Sequence, residues 1–516
     1  MRYLSTLFLL VLIVLWSSCR NDFESGPSTG NLQFSTDTLL LDTVFTNIGS
    51  STYSFKVYNR TNDDFTIPTI ALERGESSNY RLNVDGIPGK SFENIQVLAK
   101  DSIFVFVETT TDITQQTGDI EFLYTDRVLF DTGGNQQDVD LVTLVKDAVF
   151  LFPSRDAMTG EIETLLLGLD ENNEEIRIEG FFLEDDQLTL TNEKPYVVYG
   201  YAAVPSDRTL TIEAGARIHF HANSGIIVAN NATLLVNGEV STDQDLMENE
   251  VIFEGDRLEP GFSDVPGQWG TIWLTAGSTG HVINHATIKN ATVGILMDSN
   301  DGGVDPTLTI TNTQIYNSAN VGLLARTGNV LGENLVINNS GQASLNCALG
   351  GRYNFNHCTF ANYWTSSFRQ FPSVLIDNNL QISATEVAVA DLVEANFTNC
   401  IIYGNENLEL IFSKVGETAF NYNFKNCLIR FNDINDQFSS DAMYDFTDTN
   451  LFENIILNED PDFKAPFENL LTIGDASAAN GQASTPTSGT DILGTIRNAT
   501  APDIGAYESI IFDPDN

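Results

Sequence analysis

The stretch His285-Ala286-Thr287-Ile288-Lys289-Asn290 is one copy of a motif that decides the fold. Further copies lie at 312–317, 334–339 and 357–362, and copies with one extra residue lie at 399–405 and 426–432. The first positions of successive copies are 27, 22, 23, 42 and 27 residues apart. A short segment that restarts every ~20–30 residues predicts a solenoid with one such strand in each coil. The 42-residue step predicts either a missed coil or a loop insertion.

The alternation inside each copy indicates a strand and not a helix. The second and fourth positions are apolar or small, as with Ala286 and Ile288, which is a period of two. The closing Asn suits a left-handed turn, and stacked Asn side chains can hydrogen-bond from coil to coil. His285 and His357 take the first position, held elsewhere by Asn, which predicts a turn role for both.

Composition bounds the class of protein. A chain of 516 residues is too long for one ordinary core, so we expect at least two domains. A hydrophobic content of 42% and 33 Phe exclude a disordered chain. The formal charge of −45 argues against a nucleic-acid partner, because phosphate would be repelled.

The N-terminus resembles a bacterial lipoprotein signal. Residues 1–18 contain Arg2 and an apolar run at 7–16, which is too short to span a bilayer, and Ser17-Ser18 precede Cys19. The resemblance implies lipidation at Cys19, with residues 19–30 as a polar tether. We therefore expect a lipid anchor in the outer membrane of the cell envelope. The chain would face either the cell surface or the periplasm, and the sequence does not decide between them. A secreted protein cleaved near Ser18 is the alternative.

Residues 31–147 predict an Ig-like β-sandwich, with clear strands at 39–41, 53–58, 103–107 and 139–145. The stretch 42–59 resembles the opening of Ig-like modules in Bacteroidetes envelope proteins. Residues 148–195 are assigned to a junction and the start of the solenoid. The region 161–167 is compatible with a strand or a helical turn. Three short strands within 209–238, with Gly or Asn-Gly at their corners, predict a three-sided coil.

The second half resembles right-handed parallel β-helix proteins of the pectin-lyase-like superfold. The resemblance rests on Gly267-Gln268-Trp269-Gly270-Thr271-Ile272-Trp273-Leu274, on the motif copy at 285–290, and on the ending Pro502-Asp503-Ile504-Gly505-Ala506-Tyr507-Glu508. In such proteins the ending closes the last coils. The predicted fold class is therefore all-β, an N-terminal Ig-like β-sandwich followed by a right-handed parallel β-helix at 196–516. This superfold hosts lyases, hydrolases and adhesins, so it does not define an activity.

Two sets of residues are candidate sites. Asp298, Asn300, Asp301 and Asp305 offer oxygen ligands for Ca²⁺, and a solvated Asp/Gly turn is the alternative. Carbohydrate platforms combine cations with aromatic rings, which makes candidates of the following residues: Arg326, Arg352, Tyr353, Trp364 and Arg369. Aromatic residues that fill coil corners are the alternative.

The remaining chemistry-bearing residues are His and Cys. His219 and His221 share one strand face, which suits a metal or an acid–base pair. Cys358, Cys400 and Cys427 occupy one motif position and predict an inward-facing column of free thiols. Cys347 and Cys358 could instead form a disulfide.

We expect an envelope lipoprotein whose β-helix is a glycan-binding, structural or adhesive surface, with a polysaccharide or another envelope protein as partner. The alternative is a polysaccharide lyase or glycosidase. A carboxylate beside another carboxylate, Arg or Lys on one exposed strand face would favour the enzyme. No cofactor is required, and Ca²⁺ is left open.

Overall fold

The computed structural model describes residues 25–115, 119–170, 172–300, 302–383, 385–484 and 489–512. The predicted signal peptide, Cys19 and Asp301 lie outside these ranges. The described chain consists of strands and short 3₁₀ turns and divides into two compact units between Asp147 and Ala148. The predicted fold class is confirmed: a β-sandwich is followed by a parallel β-helix.

The first unit packs two mainly antiparallel sheets face to face. Residues of both sheets, such as Val57 and Val128, are fully buried in one shared core. One sheet contains Gly26–Pro27, Thr38–Leu40, Val44–Phe45, Phe65–Leu72, Ser91–Val97, Glu121–Phe130 and Gln137–Lys146. The other contains Gln33–Phe34, Tyr53–Tyr58, Tyr80–Val84, Ile87–Gly89 and Ser102–Thr109.

The second unit is a three-sided solenoid. Its strands pair in parallel with strands one coil away, which generates three faces that we call A, B and C. Face A contains Val149–Leu151, Tyr196–Val198, Arg217–Phe220, Val251–Gly255, Ala286–Lys289, Thr359–Asn362, Ile401–Gly404, Leu428–Ile429 and Ile456–Leu457. Face B contains Glu175–Phe182, Tyr201–Val204, Gly225–Val228, Ile272–Leu274, Ile295–Met297, Val374–Asp377 and Leu410–Ser413. Face C contains Thr189–Leu190, Thr209–Glu213, Thr233–Asn237, His281–Asn284, Leu392–Thr398, Asn423–Lys425 and Phe452–Glu453.

Three long strands bend around corners and contribute to more than one face: Leu308–Ser318, Leu323–Ser340 and Leu345–Asn356. The remaining strands form hairpins: Thr164–Leu169 pairs with Glu175–Phe182, Asn379–Gln381 with Val387–Val389, and Phe463–Ala465 with Leu470–Ile473. The undecided region at 161–167 is thus largely strand. The 3₁₀ turns are Gly75–Ser77, Ile113–Gln115, Gly133–Asn135, Asp185–Gln187, Pro260–Phe262, Ala442–Tyr444 and Pro466–Glu468. No helix of the described residues has the length and hydropathy needed to cross a membrane.

The motif marks the corner between faces C and A. Its first residue has a positive φ in every copy, including 44° at His285 and 50° at His357. The side chains form ladders: Asn334 donates to Asn312 at 2.8 Å, and Asn339 donates to Asn317 at 2.6 Å. The predicted turn role of these Asn and His residues is confirmed.

The alternation predicted for the motif produces the core of the β-helix. The second and fourth motif residues point inward and are buried, among them Ile288, Ile315 and Phe360. Aromatic rings also stack between coils, with 4.8 Å between the ring centroids of Phe397 and Phe424. Stacking of like residues follows from the in-register pairing of successive coils.

The 42-residue step is a loop insertion and not a missed coil. Thr359–Asn362 pairs directly with Ile401–Gly404, the next motif strand. The extra residues comprise a loop at 363–373 and the hairpin that contains Asn379–Gln381.

The C-terminal ending does more than close the last coils. Residues 460–484 and 489–512, which we call the return segment, run back over the outer side of face A. Tyr507 and Ala506 pack on Val336 and Ala361, and the Tyr507 hydroxyl lies 3.2 Å from Oε1 of Gln314. The return segment therefore covers face A from Gln314 onward, where the outward residues are largely apolar.

Candidate functional site

In the predicted Ca²⁺ loop, the side chains of Asp298 and Asn300 form hydrogen bonds with other protein groups. The carboxylate of Asp298 accepts hydrogen bonds from Arg326 at 2.7 Å and from the Trp273 indole at 2.6 Å. The Asn300 amide donates to the carbonyl of Thr327 at 2.6 Å. Among the described residues, no group of three or more His, Cys, Asp or Glu side chains has a geometry that would hold a metal. Asp301 lies outside the described residues, so the Ca²⁺ site stays a prediction.

The contacts of Asp298 create a cluster on the outer side of face B. Trp273, Asp298 and Arg326 lie on three successive coils, because Ile272–Leu274 pairs with Ile295–Met297, which pairs with Leu323–Ser340. The Asp298 and Arg326 side chains are 21% and 35% exposed. This cluster, which we call the face B cluster, presents a half-buried indole, a carboxylate and a guanidinium to solvent.

Arg352 lies on face C, away from the face B cluster. Its guanidinium is 3.3 Å from Oε1 of Glu394. The Arg352 and Glu394 side chains are 47% and 35% exposed. No aromatic ring accompanies this pair among the described ring contacts. The structure therefore separates Arg352 from Arg326.

The other three residues predicted to bind a ligand are buried. Tyr353 is fully buried, and its hydroxyl oxygen lies 2.9 Å from the main-chain carbonyl oxygens of Ala325 and of Gly350, either of which can accept its proton. Trp364 is 7% exposed. Arg369 forms a bidentate ion pair with Glu409 at 2.7 and 2.9 Å. These three side chains hold the fold together, which corrects the interpretation that they form an exposed platform.

A second charged cluster lies on face A and includes the two histidines predicted to share one strand face. His219, Glu254 and Lys289 stand one above another on successive coils, because their strands pair in register. Glu254 lies 3.6 Å from His219 Nδ1 and 2.8 Å from Lys289 Nζ. Burial acts to raise the pKa of Glu254, but His219 and then Lys289 outweigh it, so this pKa lies below its ordinary value.

The second histidine of this strand extends the cluster by one pair. His221 Nδ1 lies 2.7 Å from Oδ2 of Asp256, and the ring stacks on Tyr199 with centroids 4.5 Å apart. The imidazole is 49% exposed. A carboxylate on Nδ1 fixes the tautomer and leaves Nε2 for proton transfer. We call His219, His221, Glu254, Asp256 and Lys289 the face A cluster.

The outward charges on face A occur where the return segment does not reach. Tyr316 continues the column of Lys289 but is half-buried and packs against the cluster that contains Tyr507. Long loops at 238–250 and 256–271 flank the uncovered strands. Glu254 and Lys289 are 35 residues apart in sequence. To predict their contact, one would need to know that the coil between them is 35 residues long, and the irregular loops of this coil hide that length.

The four cysteines among the described residues are free and buried. Burial raises the pKa of Cys347 and Cys400 well above its ordinary value, and Cys400 also contacts Cys358 and Cys427. The predicted column of thiols is thus present, and the alternative Cys347–Cys358 disulfide is absent.

Comparisons with known proteins give only distant similarities. No family model matches the sequence, and no curated protein matches it. A family 123 glycoside hydrolase from Clostridium perfringens shares 8% identity over 22% of this chain, with a TM-score of 0.16, and the chain spans 26% of that protein's length. The catalytic unit of a GH87 α-1,3-glucanase from Streptomyces thermodiastaticus shares 11% identity over 73% of this chain and 84% of its own, with a TM-score of 0.23. The periplasmic chaperone SfaE shares 12% identity over 22% of this chain and 56% of its own, with a TM-score of 0.15. These values carry no argument about activity.

Proposed function

We propose that this protein is a lipid-anchored component of the cell envelope whose β-helix binds a polysaccharide along the outer side of face B. The observation that carries the proposal is the face B cluster. An indole offers a surface on which a sugar ring can stack, and the Asp298–Arg326 pair offers acceptors and donors for hydroxyl groups. The sequence around Cys19 supports the anchor.

The surroundings of the cluster suit an extended ligand. The outward residues of neighbouring coils on face B are the part-buried aliphatic side chains of Leu296, Leu324 and Leu375. In-register pairing stacks these side chains in one column, which Asn346 interrupts between Leu324 and Leu375, so the strip beside the charged pair is mostly apolar. A strip of this kind matches the apolar faces of successive sugar rings in a chain.

The test is retention of the soluble chain, produced from Arg20 onward, in gels that contain one polysaccharide each from an acidic and neutral panel. Arg326→Gln and Trp273→Leu should abolish retention, whereas Arg352→Gln is the matched control, because it disrupts a surface pair of similar exposure on face C. Repeating the gels with Ca²⁺ and with a chelator tests the Ca²⁺ prediction. If no polysaccharide retains the wild-type chain, the proposal fails and a protein partner is favoured.

An enzyme that cleaves polysaccharide is the second candidate, and the face A cluster favours it. Glu254 beside Lys289 and His219 meets the criterion of a carboxylate and a cation on one strand face, as the Asp298–Arg326 pair of face B also does. The face A cluster adds the Asp256–His221 pair, in which each residue directly follows one of the two neighbouring strands. The low pKa of Glu254 suits a base or an electrostatic role and not a proton donor. His221 is the group oriented for proton transfer.

Cleavage is measured as new reducing or unsaturated ends in the same polysaccharide panel. An enzyme with this site should lose at least tenfold in rate on His221→Gln, which retains a polar side chain but removes the imidazole that would carry the proton. His281→Gln, at a buried histidine of face C, is the control for a purely structural effect. If the wild type and His221→Gln cleave a polysaccharide at the same rate, the face A cluster is not the catalytic site. If the wild type cleaves no polysaccharide, the enzyme proposal fails and only the binding proposal remains.

A further inference from the structure

A depression of about 510 Å³ lies between the first hairpin of the β-helix and the corners that join faces A and B. Its volume falls within the ~300–1,000 Å³ of small-molecule sites. Arg177 and Glu179 line it from the hairpin strand, Asn223 and Val293 line it from the corners, and Tyr201 forms its floor. It contains none of the residues of the face A or face B clusters.

The Tyr201 ring packs closely against two glycines. A Cβ at Gly270 would lie 2.0 Å from the Tyr201 hydroxyl, and a Cβ at Gly225 would lie 2.7 Å from the ring. These glycines allow the main chain to approach the ring closely on that side. Tyr201 is therefore tightly packed against the corners beneath the depression.

The Tyr201 hydroxyl has no hydrogen-bond partner among the described residues, although the residue is only 8% exposed. Burial raises its pKa, so the phenol stays protonated and can donate. The hydroxyl oxygen is not enclosed by protein, so it is available to donate to a molecule in the depression. A ligand oxygen in the depression would satisfy it.

The other lining groups indicate which ligand fits. Arg177 is engaged by Glu175 at 2.7 Å, so it does not offer a free cation. The Glu179 carboxylate and the Asn223 amide offer acceptors and donors at the rim, and Val293 and Ile178 are apolar. An acidic sugar would be repelled by Glu179, whereas a neutral sugar has both an apolar ring face and hydroxyl groups that match this set.

The depression adjoins the surface assigned to polysaccharide. Tyr201 belongs to a small apolar cluster with Leu165, Ala203 and Ile227, and Trp273 packs against the same cluster. One end of the face B cluster and the floor of the depression are therefore parts of one packed unit.

We propose that this depression binds a single neutral sugar unit, held by the Tyr201 hydroxyl and the Glu179 and Asn223 side chains. The inference rests on the proposed function in one respect, that the sugar is a unit of the polysaccharide bound on face B. The depression adds a specificity for neutral sugar that the face B cluster does not have.

The experiment is saturation-transfer NMR of the soluble chain with a panel of neutral and acidic monosaccharides, followed by titration of those that bind. Val293→Trp should fill the depression and weaken binding at least tenfold, and Tyr201→Phe should weaken it several-fold while it retains the ring. Val282→Trp is the matched control, because Val282 is a part-exposed valine on face C. Circular dichroism would verify that each variant is folded. Glu179→Gln is a surface variant that tests the same site without a change of side-chain volume.

The outcomes separate this inference from the proposed function. Binding of a neutral monosaccharide that Val293→Trp abolishes and Val282→Trp preserves supports the inference, whether or not Arg326→Gln abolishes retention of a polysaccharide. Equal binding to wild type and Val293→Trp, a preference for acidic sugars, or no binding of any monosaccharide overturns it. Retention of a polysaccharide without any monosaccharide binding would leave the face B proposal in place and remove this one.

Discussion

Replacing Arg369 by Ala is expected to destabilise the β-helix strongly, because Arg369 is the centre of a buried network. Its guanidinium donates two hydrogen bonds to Glu409 and one each to Asn362, Asn405 and Phe371, at 2.7–3.0 Å. The Arg369 and Glu409 side chains are 1% and 0% exposed. The network fixes the loop at 363–373, which belongs to the insertion, against the next coil.

The magnitude follows from the charge that would remain. Removal of one partner of a buried pair leaves the other without compensation, which costs about 3–5 kcal/mol. Burial raises the pKa of Glu409, and the hydrogen bonds and charge of Arg369 oppose that rise. Without Arg369 the folded pKa of Glu409 rises further. The unfolded chain is the same in both proteins, so the penalty relative to wild type should grow as the pH rises through the folded pKa of Glu409 in the wild type, which burial places above its ordinary value.

The assay is urea unfolding of the soluble chain at pH 5 and pH 8, followed by tryptophan fluorescence, since Trp364 lies in the same loop. Arg352→Ala is the control, and its exposed pair should contribute at most about 1 kcal/mol. Arg369→Met combined with Glu409→Leu should recover much of the lost stability, because it leaves no buried charge. A loss on Arg369→Ala no larger than that on Arg352→Ala, or a loss independent of pH, would refute this reasoning.

Three further predictions concern the motif and its core. Burial, then Arg497, lowers the pKa of His357 to about 3, so the unfolded chain binds more protons below pH 6.5 and stability should fall as the pH decreases. His357→Asn, the residue of other copies, should reduce this loss of roughly 1.4 kcal/mol per pH unit, as measured by urea unfolding at pH 5 and pH 7. Asn317 has a φ of 55° and forms side-chain hydrogen bonds with Asn290 and Asn339. Asn317→Ala should therefore lower the free energy of unfolding by about 2–3 kcal/mol, and Asn317→Gly should lower it less, because Gly tolerates a positive φ. Equal losses in the two variants would show that backbone strain makes no contribution. Because Cys347 and Cys400 are buried with raised pKa values, iodoacetamide at pH 8 should modify them only in urea, and mass spectrometry of the native protein would reveal any exception.

Much of the fold was predictable because its rules are local. A strand of period two at 285–290 predicts which side chains point inward, and Ala286 and Ile288 do so. Asn at a corner predicts a left-handed turn, because Asn tolerates a positive φ and bonds to its neighbour in the next coil. The strand at 53–58 was likewise evident from its composition and alternation.

The candidate sites were less predictable, because exposure of an outward residue depends on distant parts of the chain. The sequence predicts that Arg326 and Arg369 each follow a strand, so the two residues look alike at that level. Arg326 remains at the surface, whereas Arg369 is enclosed by an insertion and by Glu409, 40 residues later. The corner loops vary in length, so the sequence did not predict that Glu254 would meet Lys289 and His219.

The sequence by itself determined that this protein is a β-sandwich followed by a solenoid, where the motif strands lie, and that Asn and His residues form the corners. Only the tertiary structure decided which outward faces reach solvent. The return segment reaches back from Tyr507 to Gln314 and covers one part of face A, while the charges around Glu254 stay uncovered. The physical reason is that inward and outward positions follow from the two-residue period of a strand, whereas burial from outside follows from long-range packing that has no period.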